Sequence, residues 1–346
     1  MAETVKIKNP YLYLLSLIGP FTVLGGLMVG GFATWAGMVL LWIVFPLAEM
    51  LLPVGSKSVG DEEHPVYDFL LGAHVVLQVA SVGFLIHLSS DPSVTGIVLV
   101  GACMSVGCQG GASAMVVAHE LMHRNGRLAQ FGAYVLLLSC NYTHYALEHV
   151  HIHHRKVGTA DDPASSTSNE NPYVFIVRCT IGQFTDIWSY ASRKYTQQKA
   201  NGRWSYLETL VFWAAINLTL LVVLGFGFGA LGVGAFVAQS LMAVFLLNCV
   251  NFVEHWGVQR DPSEKVRAHH NWDTDSALTR YTLFDLGMHA DHHTKASKPY
   301  EKLGPKEHAL QMPFGLYAAS LLVLVPPLFR YIMRPHLEQQ QGALAG

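Results

Sequence analysis

The chain has 346 residues, 51% of them hydrophobic and only 13% charged, with a formal net charge of −2. A water-soluble domain carries about 25% charged residues, so that class is excluded, and a near-neutral chain without a basic block is no nucleic-acid binder. Six apolar stretches, at about 11–30, 33–53, 67–88, 94–118, 206–228 and 232–250, reach the ~20 residues that a bilayer-crossing helix requires. The opening MAETVKIKNP lacks the basic, apolar and small-residue order of a cleavable signal, so the first span is expected to be retained. Two more apolar stretches, about 128–146 and 313–332, are interrupted by Asn141 and His144 and by Pro326 and Pro327. They are expected to lie in the interface or to re-enter.

Lysine and arginine collect on the cytoplasmic side of short-looped membrane proteins. With the N-terminus inside, the outer connections are 30–34, 89–95 and 228–232, and none contains a basic residue. The basic residues, from Lys6 and Lys8 through Lys57, Arg124 to Arg203, Arg260 to Lys306, and Arg330 and Arg334, all fall inside. The expectation is an all-α multi-pass protein of the inner (cytoplasmic) membrane, six transmembrane helices in one domain over residues 1–346, with both termini inside. Two hydrophilic segments, about 119–205 and 251–312, form a cytoplasmic cap. Cys103, Cys108, Cys140, Cys179 and Cys249 contain no CxxC and read as buried small hydrophobes.

The cap gathers histidines. HELMHR places His119 and His123 one helical turn apart at the end of the fourth span, EHVHIHH repeats the device with His149 and His153 and adds His154, and HADHH supplies His289, His292 and His293. His255 ends the sixth span in NFVEHWGVQRD. Nine imidazoles thus converge on one side of the membrane if the spans bundle, and each cluster has a carboxylate beside it: Glu120, Glu148, Glu254 and Asp291. Such carboxylates can accept from a ring's far nitrogen and fix its orientation. Nine ligands exceed what one ion uses, so two metals are expected, and imidazole alone does not choose among zinc, copper and iron. HELMH also matches the zinc-protease HExxH, but that reading leaves six or seven clustered histidines without a role. A metal transporter would want ionisable residues in mid-membrane, whereas these cluster at one face.

HELMHR, EHVHIHH, NFVEHWGVQRD and LFDLGMHADHHTKASKPYEKL together resemble the four histidine motifs of the integral-membrane alkane 1-monooxygenases and xylene monooxygenases, members of the membrane di-iron superfamily that includes fatty-acid desaturases. The resemblance runs from about residue 40 to 330 and includes AHHNWDTD at 268–275 and ALQMPFGLY at 309–317. It implies a di-iron centre, two Fe ions, with His119, His123, His149, His153, His154, His255, His289, His292 and His293 as ligands. Two departures stand out. Ile152 replaces the usual glycine before the paired histidines, and Trp256 replaces the tyrosine after the single one. His144, His151, His269 and His270 fall outside the implied ligand set and are read as supporting or structural.

The implied reaction is hydroxylation of a terminal methyl C–H of an alkane or alkyl-aromatic with O2, giving a primary alcohol. Fatty-acid desaturation or hydroxylation, carotenoid oxygenation and alkene-forming decarboxylation could use the same core. An unactivated C–H bond is inert to side-chain chemistry, so the cofactor carries the hard step. With no CxxC pair, GxGxxG context or haem signature in the chain, electrons are expected from a separate rubredoxin or ferredoxin with its NAD(P)H-dependent reductase. Arg155, Lys156, Arg193, Lys194, Lys199 and Arg203 are candidates for docking it. An apolar substrate is expected to enter from membrane lipid. Trp35 and Trp42 are candidate depth gauges, the Gly, Ala and Ser of the fourth span read as close packing, and Glu49 is an intramembrane carboxylate and so a candidate partner of the site.

Overall fold

The computed structural model describes residues 6–52, 58–59, 63–94 and 96–345, so Lys57 and Thr95 lie outside the described residues. Among the described residues five helices are long and apolar enough to cross a membrane: α1 (Pro10–Val29), α2 (Gly31–Leu51), α3 (Pro65–Ser89), α4 (Gly96–Met122) and a fifth over Tyr206–Glu254. Their starts are written locally. Asn9 and His64 accept from the backbone N–H of Tyr11 and Val66, each with proline at the first helical position. Ser205 and Glu208 form a capping box at the head of the fifth.

That fifth element, 49 residues long, is folded at Gly229, whose φ of 66° is one only glycine adopts freely. A Cβ at Gly225 would lie 3.7 Å from Val233, eight residues on, where a continuous helix would separate them by about 12 Å. The chain therefore reverses, giving α8 (206–228) and α9 (230–254). The break falls between the two spans read from the sequence.

The stretch read as interfacial near 128–146 is helix α5 (Arg127–Ser139), a turn with Asn141 at φ 52°, and the start of α6 (145–156). A long amphipathic helix, α7 (Pro172–Ala200), then packs along the pair α8 and α9. Beyond α9 come α10 (Ala277–Thr282), α11 (His289–Thr294), α12 (Leu316–Val323) and α13 (Pro326–Ala345). Two short parallel pairings, β1 (Lys6–Ile7) with β2 (Ser58–Val59) and β3 (Trp272–Asp273) with β4 (Leu310–Gln311), tie distant segments together.

α4 is the centre of the bundle. Its glycines let neighbours approach: a Cβ at Gly107 would come 2.5 Å from Met242 Cβ, and one at Gly111 the same distance from Leu246 Cβ, both on α9. This is small-residue packing between membrane helices, in which dispersion substitutes for the hydrophobic effect. Substituting Gly107 by valine is expected to cost about 1–3 kcal/mol by overpacking and to lower the thermal midpoint in detergent by several degrees. Gly25→Ala, where a Cβ meets nothing within 4 Å, should leave it unchanged.

Candidate metal centre

Four segments bring their histidines to one place. Imidazoles of His119, His123, His149, His154 and His292 form one set and those of His153, His255, His289 and His293 another, the ligand nitrogens of each set lying within 4.8 Å of one another. The sets abut, with the rings of His154 and His293 4.5 Å apart.

Local geometry explains the partition. On α4 the one-turn spacing keeps His119 and His123 in the same set, their rings 5.3 Å apart. On α6 the helix widens to a π turn over His149–His153, and the N–H of His154 bonds to the carbonyl of His149. In a regular helix residues five apart diverge by about 140°. The wide turn aligns them, so His149 pairs with His154, their Nε2 atoms 3.0 Å apart, while His153 faces the second set. The helix-face pairing of His149 with His153 expected from the sequence is thereby split. On α11, Asp273 accepts from the N–H of Ala290 at 2.7 Å and fixes the helix start. His289 and His293 then share a face, Nε2 to Nε2 2.9 Å, and His292 turns to the first set. His255 ends α9, where Gly257 at φ 70° turns the chain away.

The donor set fits a bound cation. His154 Nε2 lies 3.1 Å from His123 Nε2, 3.0 Å from His149 Nε2 and 3.0 Å from His292 Nε2. An imidazole nitrogen carries either one proton or one lone pair, so it can satisfy one such neighbour but not three. Burial, with the neighbouring histidines adding to it, holds His149, His154, His289, His292 and His293 far below the usual histidine range. Neutral rings with lone pairs aimed at a shared point are what a metal ion requires.

The carboxylates distribute differently from their sequence neighbourhoods. Asp162, nine residues past His153, accepts from its Nδ1 at 3.0 Å. Burial alone would raise the Asp162 carboxyl, but His153 beside it and its hydrogen bonds bring it below the usual range. Tyr145 Oη lies 3.2 Å from His149 Nδ1. Sequence reading missed both; the only signal was a polar residue near a cluster. Glu120 pairs with Arg124 at 2.7 Å and accepts from the N–H of Tyr300. Asp291 takes Lys298 and Lys306, at 2.5 and 2.9 Å. Glu49 accepts from Ser276, Thr279 and the N–H of Ala318, latching the end of α2 to α10 and α12. His270 Nδ1 accepts from the N–H of Arg267. Neither these three carboxylates nor the His270 ring has a hydrogen bond to the nine histidines among the described residues. Glu148 is buried with neither oxygen hydrogen-bonded among the described residues, and burial raises its carboxyl well above the usual range, which favours the protonated form. Glu254 faces the rings, its Oε2 3.5 Å from His289 Nε2.

Two adjoining cavities run from the rings into the bundle. The first touches His119, His149, His289, Asn251 and Glu254; the second reaches Trp42, Leu41 and Tyr317; both share Gly111, Val116, Val250 and Leu286. Trp42 Nε1 donates to Cys108 Sγ at 3.2 Å. Trp35 sits two helical turns away, donates to the Ile97 carbonyl at 3.1 Å, and lines neither cavity.

The fatty acid desaturase family model matches residues 94–319, a span that holds all nine histidines. Similar proteins include alkane 1-monooxygenase 1 of Pseudomonas aeruginosa, 31% identical over 88% of this chain and 83% of that protein. Alkane 1-monooxygenase 2 of Alcanivorax borkumensis is 30% identical over 92% and 87%. The xylene/toluene monooxygenase hydroxylase component of Pseudomonas putida is 25% identical over 90% and 85%.

The buried rings also set a pH dependence. Burial pushes His123 down to about 4, against ~6.5 in an unfolded chain. As pH falls below ~6.5 the unfolded state takes up protons that the folded state refuses, so stability is complete above that value and is lost toward pH 4. The metal-free protein should therefore show a thermal midpoint that falls between pH 7 and pH 5, as read by calorimetry in detergent.

Proposed function

The chain belongs to the fatty acid desaturase family, alongside the alkane 1-monooxygenases, and from that premise we propose that it is a membrane di-iron monooxygenase. It hydroxylates a terminal methyl group of an alkane or alkyl-aromatic with O2 to give a primary alcohol. The observation that carries this reading is the joining of two histidine sets to an apolar cavity that leads into a membrane bundle.

The nine histidines would hold two irons, the set of five one ion and the set of four the other. Iron bound there supplies the activation of O2 against an inert C–H bond, which no side chain can provide. The chain's own residues do the rest. Asp162 and the Tyr145 hydroxyl fix the orientation of His153 and His149 through their far nitrogens. Val116, Val250 and Leu286 keep water from the reacting carbon, and Glu254 gives the cavity wall a polar group. Trp42, braced by Cys108, limits how far a hydrocarbon extends past the rings. At ≈ 30 and ≈ 40 Å³ the two cavities are narrow, so substrate must displace side chains such as Leu286.

Electrons come from a rubredoxin or ferredoxin with its NAD(P)H-dependent reductase, docking on the cytoplasmic face of the inner membrane. Lys156 and Lys199 are paired with Asp186 and Glu208, which narrows the docking candidates to Arg155, Arg193, Lys194 and Arg203. Added salt should slow turnover with the carrier while sparing a peroxide-driven reaction, since surface charge attraction is screened; equal slowing of both would discard the docking surface.

In nanodiscs with iron, O2 and a reduced carrier, octane or xylene should yield a terminal alcohol carrying oxygen from O2. A fatty acid desaturated instead, or decarboxylated to a terminal alkene, would favour the desaturase or the decarboxylase reading respectively. His292→Ala should abolish product and reduce bound metal below two ions per chain. Trp42→Ala should extend the accepted chain length, and an unchanged product profile would remove Trp42 as the gauge.

A further inference from the structure

Lys8 lies far from the histidines in sequence, yet its side chain is 0% exposed and its Nζ is 2.9 Å from Asp285 Oδ2. The same ammonium donates to the carbonyls of Leu303 at 2.6 Å and Glu301 at 3.3 Å. Asp285 is also 0% exposed, accepts from the Tyr13 hydroxyl, and lies 3.3 Å from Arg280 Nε. A lysine completely withdrawn from water is rare and needs a specific partner.

What Asp285 holds is the turn that feeds α11. Phe284 and Asp285 both adopt left-handed backbone, at φ 52° and 53°, a conformation that side chains other than glycine resist and that surrounding contacts must enforce. The N–H of Asp285 bonds to the Arg280 carbonyl at 3.0 Å, and its carbonyl accepts from Met288 at 2.8 Å. Met288 in turn accepts from the N–H of His292 at 3.2 Å. This chain of bonds runs from the N-terminal segment to His292, on the short helix whose three histidines contribute to both sets.

We propose that Lys8 is a positioning residue for the metal centre: through Asp285 it clamps the left-handed turn at 284–285, so that His289, His292 and His293 meet the other six rings. The clamp acts on ligands whose role rests on the reading given above. Glu49 and Asp291 secure the same cap by other contacts, but neither reaches this turn.

The test uses the full chain, iron-loaded in nanodiscs, with two readouts: the rate of metal loss to a chelator and backbone hydrogen exchange at 284–293, compared with 119–123 and 149–154. Lys8→Met leaves the buried Asp285 carboxylate with Arg280 at 3.3 Å but without its shorter ion pair, so metal loss should accelerate at least about tenfold and exchange should rise at 284–293 alone. Lys8→Met combined with Asp285→Asn removes both charges and should recover much of the wild-type behaviour, because losing both members of a buried pair is milder than losing one. A lysine that merely stabilises the fold would loosen all three segments and show no such recovery. If Lys8→Met does not accumulate, Asp285→Asn alone breaks the link while Lys8 keeps its carbonyls, and it should show the same local loosening. Wild-type metal loss and wild-type exchange at 284–293 in either folded variant would overturn the clamp. The metal count of the wild-type protein reports separately on the metal reading.

Discussion

Nine imidazoles turned toward one another are not a self-consistent structure. A ring nitrogen offers one proton or one lone pair, yet His154 Nε2 faces three neighbouring nitrogens and His289 Nε2 two, at separations near 3 Å, in a buried environment where an unpaired polar atom costs about 1–3 kcal/mol. A hydrophobic core draws itself together; this cluster has to be held until a cation resolves it. Much of the surrounding architecture is explained by that demand. The glycines of α4 bring α9 close, Asp273 starts α11 in place, and Glu49 latches the membrane bundle to the C-terminal segments that carry the last histidines.

Scaffold and cavity answer opposite requirements. The rings need polar, rigid support on their far sides, and Asp162 and Tyr145 give it from the cap and from α6. The adjoining cavity has the reverse character, its wall being Val116, Val250 and Leu286 with Glu254 and Asn251 as its polar edge.

The spans and the histidines were legible because each is encoded locally: hydropathy over ~20 residues and ring spacing within one helix. All nine predicted histidines come together. The carboxylate partners were not legible, because neighbourhood in sequence says little about where a side chain turns. Glu120 adjoins a histidine yet meets Arg124 and the backbone of Tyr300, 180 residues away, and Glu49 meets Ser276 across 227. Asp162 was passed over because it lies in a loop with no periodic pattern. Trp35 and Trp42 look alike on paper, and only the three-dimensional arrangement separates a wall residue from one at the far end of the helix.

The widened turn on α6 carries a lesson for anyone transplanting such a centre. Seven letters, EHVHIHH, do not contain the whole instruction. Grafted onto a straight helix, the first and last rings would point about 140° apart and could not meet, so a designed scaffold must import the local unwinding along with the residues.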